Sequence, residues 1–214
     1  MLYSWYSAMH TRVDIVLLSP LGRQRMMDLQ EEVRRRIVAI ESIGNCFAPD
    51  SELSLFNAGR LGREQLCAEL RDILDRCDRW RTLTDGLFDV AVEGRTNLSG
   101  FLKGYALDQV LPIIRRHGIA DALVNLGNSS VMALGSQHAD SGGWTVENTA
   151  GERFTLCDEC LTTSGNNMAE HRHIINPLTN EYVVGQRIVS VVTKTGEEGE
   201  VRSTVAMLLA GEKG

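Results

Sequence analysis

A lysine between two glycines is the clearest candidate for binding a charged ligand. Lys103 lies in the segment 97–108, between Gly100 and Gly104, and an apolar helical pattern follows it. The start of a helix offers unpaired backbone N–H groups and the positive end of the helix dipole, and a lysine in the first turn adds a full positive charge. The spacing matches neither a Walker loop nor the Gly-x-Gly-x-x-Gly motif. The segment therefore suits a phosphate group without identifying the ligand.

Three further polar clusters lie at the ends of apolar segments, at residues 51–57, 161–165 and 171–177. Each alone has an ordinary structural explanation, such as a helix cap at Ser51 or a turn after Asn176. Their joint occurrence favours a site. His173, in the last cluster, titrates near neutral pH and could remove a proton from a hydroxyl group, although a histidine on the surface explains it equally well.

A carboxylate and a hydroxyl group near the C-terminus could bind a metal ion. Glu200 and Thr204 are four residues apart, which places both on one face of a helix. Mg²⁺ prefers oxygen ligands and usually keeps waters or substrate phosphates as its other ligands. The ordinary alternative is an exposed glutamate beside a threonine that caps a helix.

A zinc site is the rival metal hypothesis. Its four nitrogen and sulfur ligands would be Cys157, Cys160, His171 and His173, which in principle could form a tetrahedral site. The two histidines are closer together than in the usual zinc motifs, where three to five residues separate them.

Composition limits the class of protein. The chain has 214 residues, 43% of them hydrophobic, and a formal net charge of −6, which favours a globular protein and argues against a nucleic-acid-binding surface. Its five scattered cysteines predict reduced thiols rather than a disulfide framework. The N-terminal residues lack the pattern of a signal peptide, and no apolar run is long enough to span a membrane. We therefore expect one cytoplasmic domain over residues 1–214.

Hydrophobic periodicity predicts an α+β fold with a mainly antiparallel sheet, because helices dominate the first half and strands the second. Residue spacing predicts helices at 29–43, 66–80, 102–117 and 200–209, with a kink or break at Pro112 and an end at Gly118. A turn into a short strand is expected at 85–90. The other predicted strands cover residues 13–18, 122–126, 131–134, 144–147, 154–157, 173–175 and 188–193.

Taken in order, these motifs resemble the FAD:protein FMN transferase family, the ApbE-like proteins. The resemblance covers nearly the whole chain, and the ordered set is specific although each motif alone is weak. The matching motifs are the segment 97–108, Met9-His10-Thr11, Ser51-Glu52-Leu53-Ser54-Leu55-Phe56-Asn57, Thr84-Asp85-Gly86-Leu87-Phe88-Asp89, Val124-Asn125-Leu126-Gly127, Thr162-Thr163-Ser164-Gly165, His173-Ile174-Ile175-Asn176-Pro177-Leu178-Thr179 and Ser203-Thr204.

The resemblance implies a T-fold-like α+β structure with a ligand cleft between its α and β layers. It also implies Mg²⁺-dependent transfer of FMN from FAD to a threonine or serine of an acceptor flavoprotein, with release of AMP. His173 would be the catalytic base, and the Gly100 carbonyl, Glu200 and Thr204 would bind the metal ion. The implied flavin-binding residues are Met9, Ser51, Asn57, Phe88, Asp89, Lys103, Asp108, Thr163 and Ser164.

Several positions differ from the family pattern. Glu200 replaces an aspartate, and Asn97 and Ser129 also stand where the family has aspartates. Leu102 replaces an alanine, which predicts crowding of the cleft beside Lys103. Two alternatives therefore stay open: an FAD-binding protein with weak or lost transfer that hydrolyses FAD slowly, and a zinc-stabilised interaction module without flavin.

Overall fold

The computed structural model of the chain describes residues 1–166 and 174–210. Within these residues five α-helices form, and a short 3-10 turn at Arg63–Gln65 precedes the third. The helices are α1 (Arg23–Gly44), α2 (Glu52–Asn57), α3 (Ala68–Leu83), α4 (Leu102–Arg116) and α5 (Gly196–Leu209).

The main sheet has six strands in the order β1-β2-β5-β6-β9-β12, with every neighbouring pair antiparallel. Its strands are β1 (Leu2–Ala8), β2 (Thr11–Leu18), β5 (Asp121–Leu126), β6 (Ser130–Leu134), β9 (Glu159–Asn166) and β12 (Arg187–Thr193). Two-stranded ribbons pair β3 (Ala91–Val92) with β4 (Arg95–Thr96), β7 (Trp144–Glu147) with β8 (Arg153–Leu156), and β10 (Ile175–Asn176) with β11 (Glu181–Tyr182). The predicted α+β fold with a mainly antiparallel sheet is confirmed.

The two faces of the sheet are covered differently. On the inner face, alternate residues of β2 such as Ile15 are fully buried against helices, among them Ile37 of α1 and Leu107 of α4. On the outer face, the β7–β8 ribbon places Trp144 and Leu156 over β6 and β9. Each such buried side chain contributes about 1.5–3 kcal/mol of transfer free energy. Strand β6 is buried along its whole length because it has cover on both sides.

Several boundaries differ from the predictions. Strand β1 was not predicted, and it pairs with β2 through a two-residue turn in which Met9 and His10 have φ angles of 52° and 57°. The break predicted at Pro112 is wrong, since α4 continues through this residue, which lies on the exposed side. Gly118, with a φ of 73°, follows the helix as predicted.

Two predicted strands are also revised. Residues 85–90 form a turn and irregular segment, and the first strand after α3 is Ala91–Val92. Of the predicted strand 173–175, His173 lies outside the described residues, and β10 begins at Ile175. The polar cluster at 161–165 lies inside β9 rather than at a strand end.

Candidate functional site

A cleft of about 370 Å³ brings together residues from distant parts of the chain. Its walls come from the start of α4, the β5–β6 turn, strand β9, the segment before β10 and helix α5. Eight of the residues predicted from sequence line this cleft: Phe88, Asp89, Gly100, Lys103, Thr163, Ser164, Glu200 and Thr204.

Two glycines set the distance between the helices that carry Lys103 and Glu200. A Cβ atom on Gly104 would lie 2.2 Å from the Gly196 carbonyl oxygen, and one on Gly196 would lie 2.4 Å from the Gly104 carbonyl oxygen. Helices α4 and α5 therefore touch backbone to backbone near their first turns. This close crossing is why the lysine of one helix and the carboxylate of the other line the same cleft.

Lys103 is held by the turn between β5 and β6. Its Nζ donates a hydrogen bond of 2.5 Å to Ser129 Oγ, and Ser129 Oγ donates to the Leu126 carbonyl oxygen at 3.2 Å. Gly127 and Asn128, with φ angles of 65° and 57°, give this turn the backbone shape that directs Ser129 toward the cleft. A serine carries no charge, so this contact leaves the positive charge of Lys103 available to an anion.

Glu200 is the buried carboxylate of the cleft, with 6% of its surface exposed. Burial raises the pKa of Glu200 to about 7, although the Lys103 charge and hydrogen bonds from the Ser130 hydroxyl and the Gly104 N–H oppose the shift. Ser130 Oγ donates to Glu200 Oε1 at 2.5 Å. A carboxylate whose two protonation states have similar free energies near neutral pH responds strongly to any nearby charge.

The opposite wall carries a row of hydroxyl groups. Thr163 Oγ1 and Ser190 Oγ are 2.8 Å apart, as are Ser164 Oγ and Ser203 Oγ. These contacts join β9 to β12 and to α5. Of these residues, Thr163 and Ser164 line the cleft, as does Thr204, and they offer hydrogen-bond donors and acceptors to a polar ligand.

Phe88 and Asp89 form the rim after α3. The Phe88 N–H donates to Thr84 Oγ1 at 3.0 Å, and the Phe88 ring is buried against Phe101, with their centroids 6.0 Å apart. Asp89 pairs with Arg81 at 2.8 Å and accepts a hydrogen bond from the Ala91 N–H. The Asp89 carboxylate is therefore already paired with partners in this rim.

Four predicted flavin-binding residues do not line the cleft. Ser51 caps α2 by accepting from the Ser54 N–H at 3.0 Å, and Asn57 exchanges hydrogen bonds with the Thr96 backbone at 2.8 and 2.9 Å. Met9 belongs to the β1–β2 turn and borders a separate cavity of about 40 Å³. These residues stabilise the surroundings of the site.

Asp108 is the fourth predicted flavin-binding residue that does not line the cleft, and it joins the crossing helices α4 and α5. Its carboxylate accepts from the Gly196 N–H at 2.7 Å and from the Glu197 N–H at 2.8 Å, which satisfies two unpaired donors at the start of α5. Burial raises the pKa of Asp108, and the same two hydrogen bonds oppose this rise. Asp108 therefore lies at the helix crossing rather than in the cleft.

Leu102 does not line the cleft, although it borders the small cavity that Ser99 and Lys103 also line, and the predicted crowding stays a prediction. Its side chain is 6% exposed and packs on α1, where a Cβ added to Gly44 would lie 2.6 Å from Leu102 Cδ1. Since Leu102 and Lys103 are consecutive in a helix, their side chains leave in different directions. The bulk of Leu102 thus strengthens the α1–α4 contact.

The zinc hypothesis finds little support in the described residues. Cys160 is buried in the core, whereas Cys157 is exposed. All five cysteines are free thiols, as predicted. His171 and His173 lie outside the described residues, and residues 1–166 with 174–210 contain no group of three or more His, Cys, Asp and Glu side chains that could hold a metal ion.

Ser129 and Ser130 show what the sequence did not reveal. In the sequence, Ser129 is marked only by its departure from the family pattern, and nothing marks Ser130. The polar pair Asn128-Ser129 directly after Gly127 is a sequence signal for a tight turn. Neither the contact of Ser129 with Lys103, 26 residues away, nor that of Ser130 with Glu200, 70 residues away, has a local sequence signal.

Comparison with known proteins agrees with this architecture. A family model described as the ApbE family matches residues 9–102 and 94–214, and the chain belongs to this family. A search of curated proteins gave no match. In the part of the chain that the structure describes, no helix combines the length and apolar character needed to cross a membrane.

Solved structures share the fold at low sequence identity. A His-to-Gly variant of flavin transferase ApbE from Vibrio cholerae has a TM-score of 0.83 at 19% identity, over 99% of this chain and 88% of that one. The ApbE protein from Thermotoga maritima has a TM-score of 0.85 at 18% identity, also over 99% and 88%. The apo flavinyl transferase ApbE from Pseudomonas stutzeri has a TM-score of 0.81 at 17% identity, over 97% and 84%.

Proposed function

We propose that the chain, as one domain over residues 1–214, transfers FMN from FAD to a threonine or serine of an acceptor flavoprotein and releases AMP. Support comes from one observation above all: in a chain of the ApbE family, Lys103 and Glu200 of two crossing helices line one cleft with the hydroxyl groups of β9. The structural neighbours are named flavin transferases, which agrees with the proposal.

Lys103 is the residue proposed to hold the pyrophosphate of FAD. It is half-buried in the cleft, its Nζ donates to the neutral hydroxyl of Ser129, and it lies in the first turn of α4. Positive charge at a helix N-terminus attracts phosphate oxygens. Thr163 and Ser164, on the facing strand, can donate hydrogen bonds to the polar parts of the bound flavin nucleotide.

The residues present suit the Mg²⁺ that the proposed reaction requires. Glu200 is a buried carboxylate that lines the cleft, and Thr204 and Gly100 add a hydroxyl and a carbonyl oxygen to the same cleft. These are the oxygen ligands that Mg²⁺ prefers. When bound, the ion would neutralise charge on the phosphate oxygens. The residues themselves position those oxygens and exclude water.

In the proposed step, the acceptor hydroxyl oxygen bonds to the FMN-side phosphorus while the bond from that phosphorus to the AMP-side bridging oxygen breaks. The hydroxyl proton passes to a base, for which we propose His173 from the sequence resemblance. His173 lies outside the described residues. Ile174 and Ile175, which follow it, line the cleft.

The test is incubation of the protein with FAD, Mg²⁺ and a candidate acceptor protein, followed by mass spectrometry of the acceptor. Transfer adds the mass of an FMN group to the acceptor and produces AMP. His173→Ala should abolish the adduct and leave FAD binding unchanged. Lys103→Ala should weaken FAD binding, and Lys194→Ala is its matched control, because Lys194 is an exposed lysine paired with Glu159.

Other outcomes separate the alternatives. FAD binding and slow release of FMN and AMP, without an adduct on an acceptor that a known flavin transferase modifies, would replace transfer with FAD binding or hydrolysis. Absence of FAD binding in the presence of Mg²⁺ would refute every flavin function. Stoichiometric zinc in the purified protein, lost in Cys157→Ser, would support the interaction module instead.

A further inference from the structure

Ser130 and Glu200 are in contact at the base of the cleft, and the function proposed above gives this contact no role. Ser130 begins β6 and is fully buried, and Glu200 lies in the first half of α5 with 6% exposure. The hydroxyl of Ser130 donates to Glu200 Oε1 at 2.5 Å. A buried hydrogen bond to a carboxylate is stronger than one between neutral groups, so it restricts where the carboxylate can lie.

The hydrogen bonds of Glu200 leave room for a further partner. A carboxylate offers about four lone-pair positions. In the described residues, Ser130 Oγ and the Gly104 N–H use two of them. Both donors come from rigid elements, one from the central sheet and one from the first turn of α4. The carboxylate is thus fixed from two sides while it still lines the cleft.

Because the glutamate side chain is long and flexible, the hydrogen bond from Ser130 is needed to restrict the position of the Glu200 carboxylate. Glutamate has one more rotatable bond than aspartate, and its carboxylate reaches about 1.5 Å further. A flexible carboxylate binds Mg²⁺ poorly, because this ion requires near-ideal octahedral geometry. A hydroxyl on an adjacent strand can remove that freedom. The neighbouring hydroxyl, Thr162 Oγ1, is buried and has no hydrogen-bond partner in the described residues, so it does not share the task.

We propose that Ser130 is a positioning residue that orients the Glu200 carboxylate toward the cation of the cleft. The inference rests on the proposed function, since it assigns Ser130 to the Mg²⁺ site proposed there. Ser130 does not touch the ion or the flavin in this proposal. Its effect on metal binding passes through Glu200.

The test is a double-mutant cycle on Ser130 and Glu200 with Mg²⁺ affinity as the readout. Mg²⁺ is titrated calorimetrically into the FAD-bound protein without an acceptor, so that no transfer takes place. Ser130→Ala should raise the Mg²⁺ dissociation constant about tenfold, as loss of a partner behind a metal ligand commonly does. In the E200D background the shorter side chain no longer reaches Ser130, and the same substitution should change the constant less than twofold.

Three measurements separate positioning from general destabilisation. FAD affinity measured in EDTA should stay within twofold in Ser130→Ala. Ser190→Ala removes a serine hydroxyl of the same sheet that contacts Thr163 and Asn148 instead of Glu200, and it should leave Mg²⁺ affinity unchanged. Ser130→Cys is slightly larger and keeps a weaker donor, so it should give an intermediate constant; it also serves if the alanine variant fails to fold.

The possible outcomes separate the role of Ser130 from the proposed flavin transfer on which it rests. An unchanged Mg²⁺ affinity in Ser130→Ala, or an equal loss in both backgrounds, would overturn the inference while transfer activity stands. A wild-type protein that binds FAD but shows no Mg²⁺ binding in the calorimetric titration would overturn both the proposed metal site and the role of Ser130.

Discussion

Two carboxylates at the α4–α5 crossing, the half-buried Asp108 and the buried Glu200, have different hydrogen-bond partners and different positions relative to the cleft. Both have a pKa raised by burial. Asp108 accepts from two backbone N–H groups at the start of α5 and lies outside the cleft. Glu200 accepts from one hydroxyl group and one N–H, and it lines the cleft beside Lys103.

The difference shows that burial alone does not identify a functional carboxylate. Asp108 finds its partners in the backbone of the neighbouring helix, so its charge stabilises the crossing. Glu200 keeps unused lone pairs that face a ligand-sized space. We therefore expect substitutions at Asp108 to act on folding and substitutions around Glu200 to act on ligands.

The largest effect is expected from breaking the crossing itself. Gly104→Ala would place a Cβ 2.2 Å from the Gly196 carbonyl oxygen, and backbone cannot move aside cheaply. We expect a loss of about 3 kcal/mol in the free energy of unfolding, measured with urea. Gly100→Ala is the control, because its Cβ would meet nothing within 4 Å. Equal stability of the two variants would contradict the close contact.

Asp108→Ala should reduce the free energy of unfolding by about 2 kcal/mol, because it leaves two N–H groups of α5 without their acceptor. Asp108→Asn keeps one acceptor oxygen and should cost less. FAD affinity, measured by flavin fluorescence, should change less than threefold in the folded variants. A loss of affinity larger than the loss of stability would instead support the flavin contact predicted from the sequence.

Lys103→Ala should show the reverse pattern. Loss of a charge-assisted contact to phosphate should weaken FAD binding by about 2 kcal/mol, or about thirtyfold. The free energy of unfolding should change by less than about 0.5 kcal/mol, as for most substitutions outside the core. The same fluorescence titration at several salt concentrations checks the charge, since affinity should depend less on salt in the variant. An unchanged affinity would remove Lys103 from the site.

The most gradual effect is the pH dependence of stability without FAD or metal. The pKa of Glu200 is raised by burial from 4.5 to about 7, so the folded protein keeps a proton that the unfolded chain has lost between these values. Stability should therefore fall as pH rises from about 4.5 to 7, by at most about 1.4 kcal/mol per pH unit. Glu200→Gln should remove this component from urea unfolding curves. If the free energy of unfolding of the wild-type protein and that of Glu200→Gln depended on pH in the same way, the raised pKa of Glu200 would be refuted.

The sequence predicted the fold class and most long elements because their apolar residues recur with the period of a helix or strand. It failed at β1, where serine and aromatic residues alternate without a strong apolar pattern, and at Pro112, whose exposed position leaves α4 intact. Its assignment of Ser51 and Asn57 to the flavin stays a prediction; in the structure the side chains of both residues bond to nearby backbone.

The sequence by itself determined which chemical groups the chain offers: Lys103 at a helix start, Glu200 and Thr204 one turn apart, and a Thr-Thr-Ser run in a strand. Only the tertiary structure decided which of them share a cleft. Two contacts between residues far apart in the chain bring these groups together. Gly104 of α4 packs against Gly196 of α5, and Ser130 of β6 donates a hydrogen bond to Glu200 of α5. Such contacts follow from packing and sheet register, which local spacing does not encode.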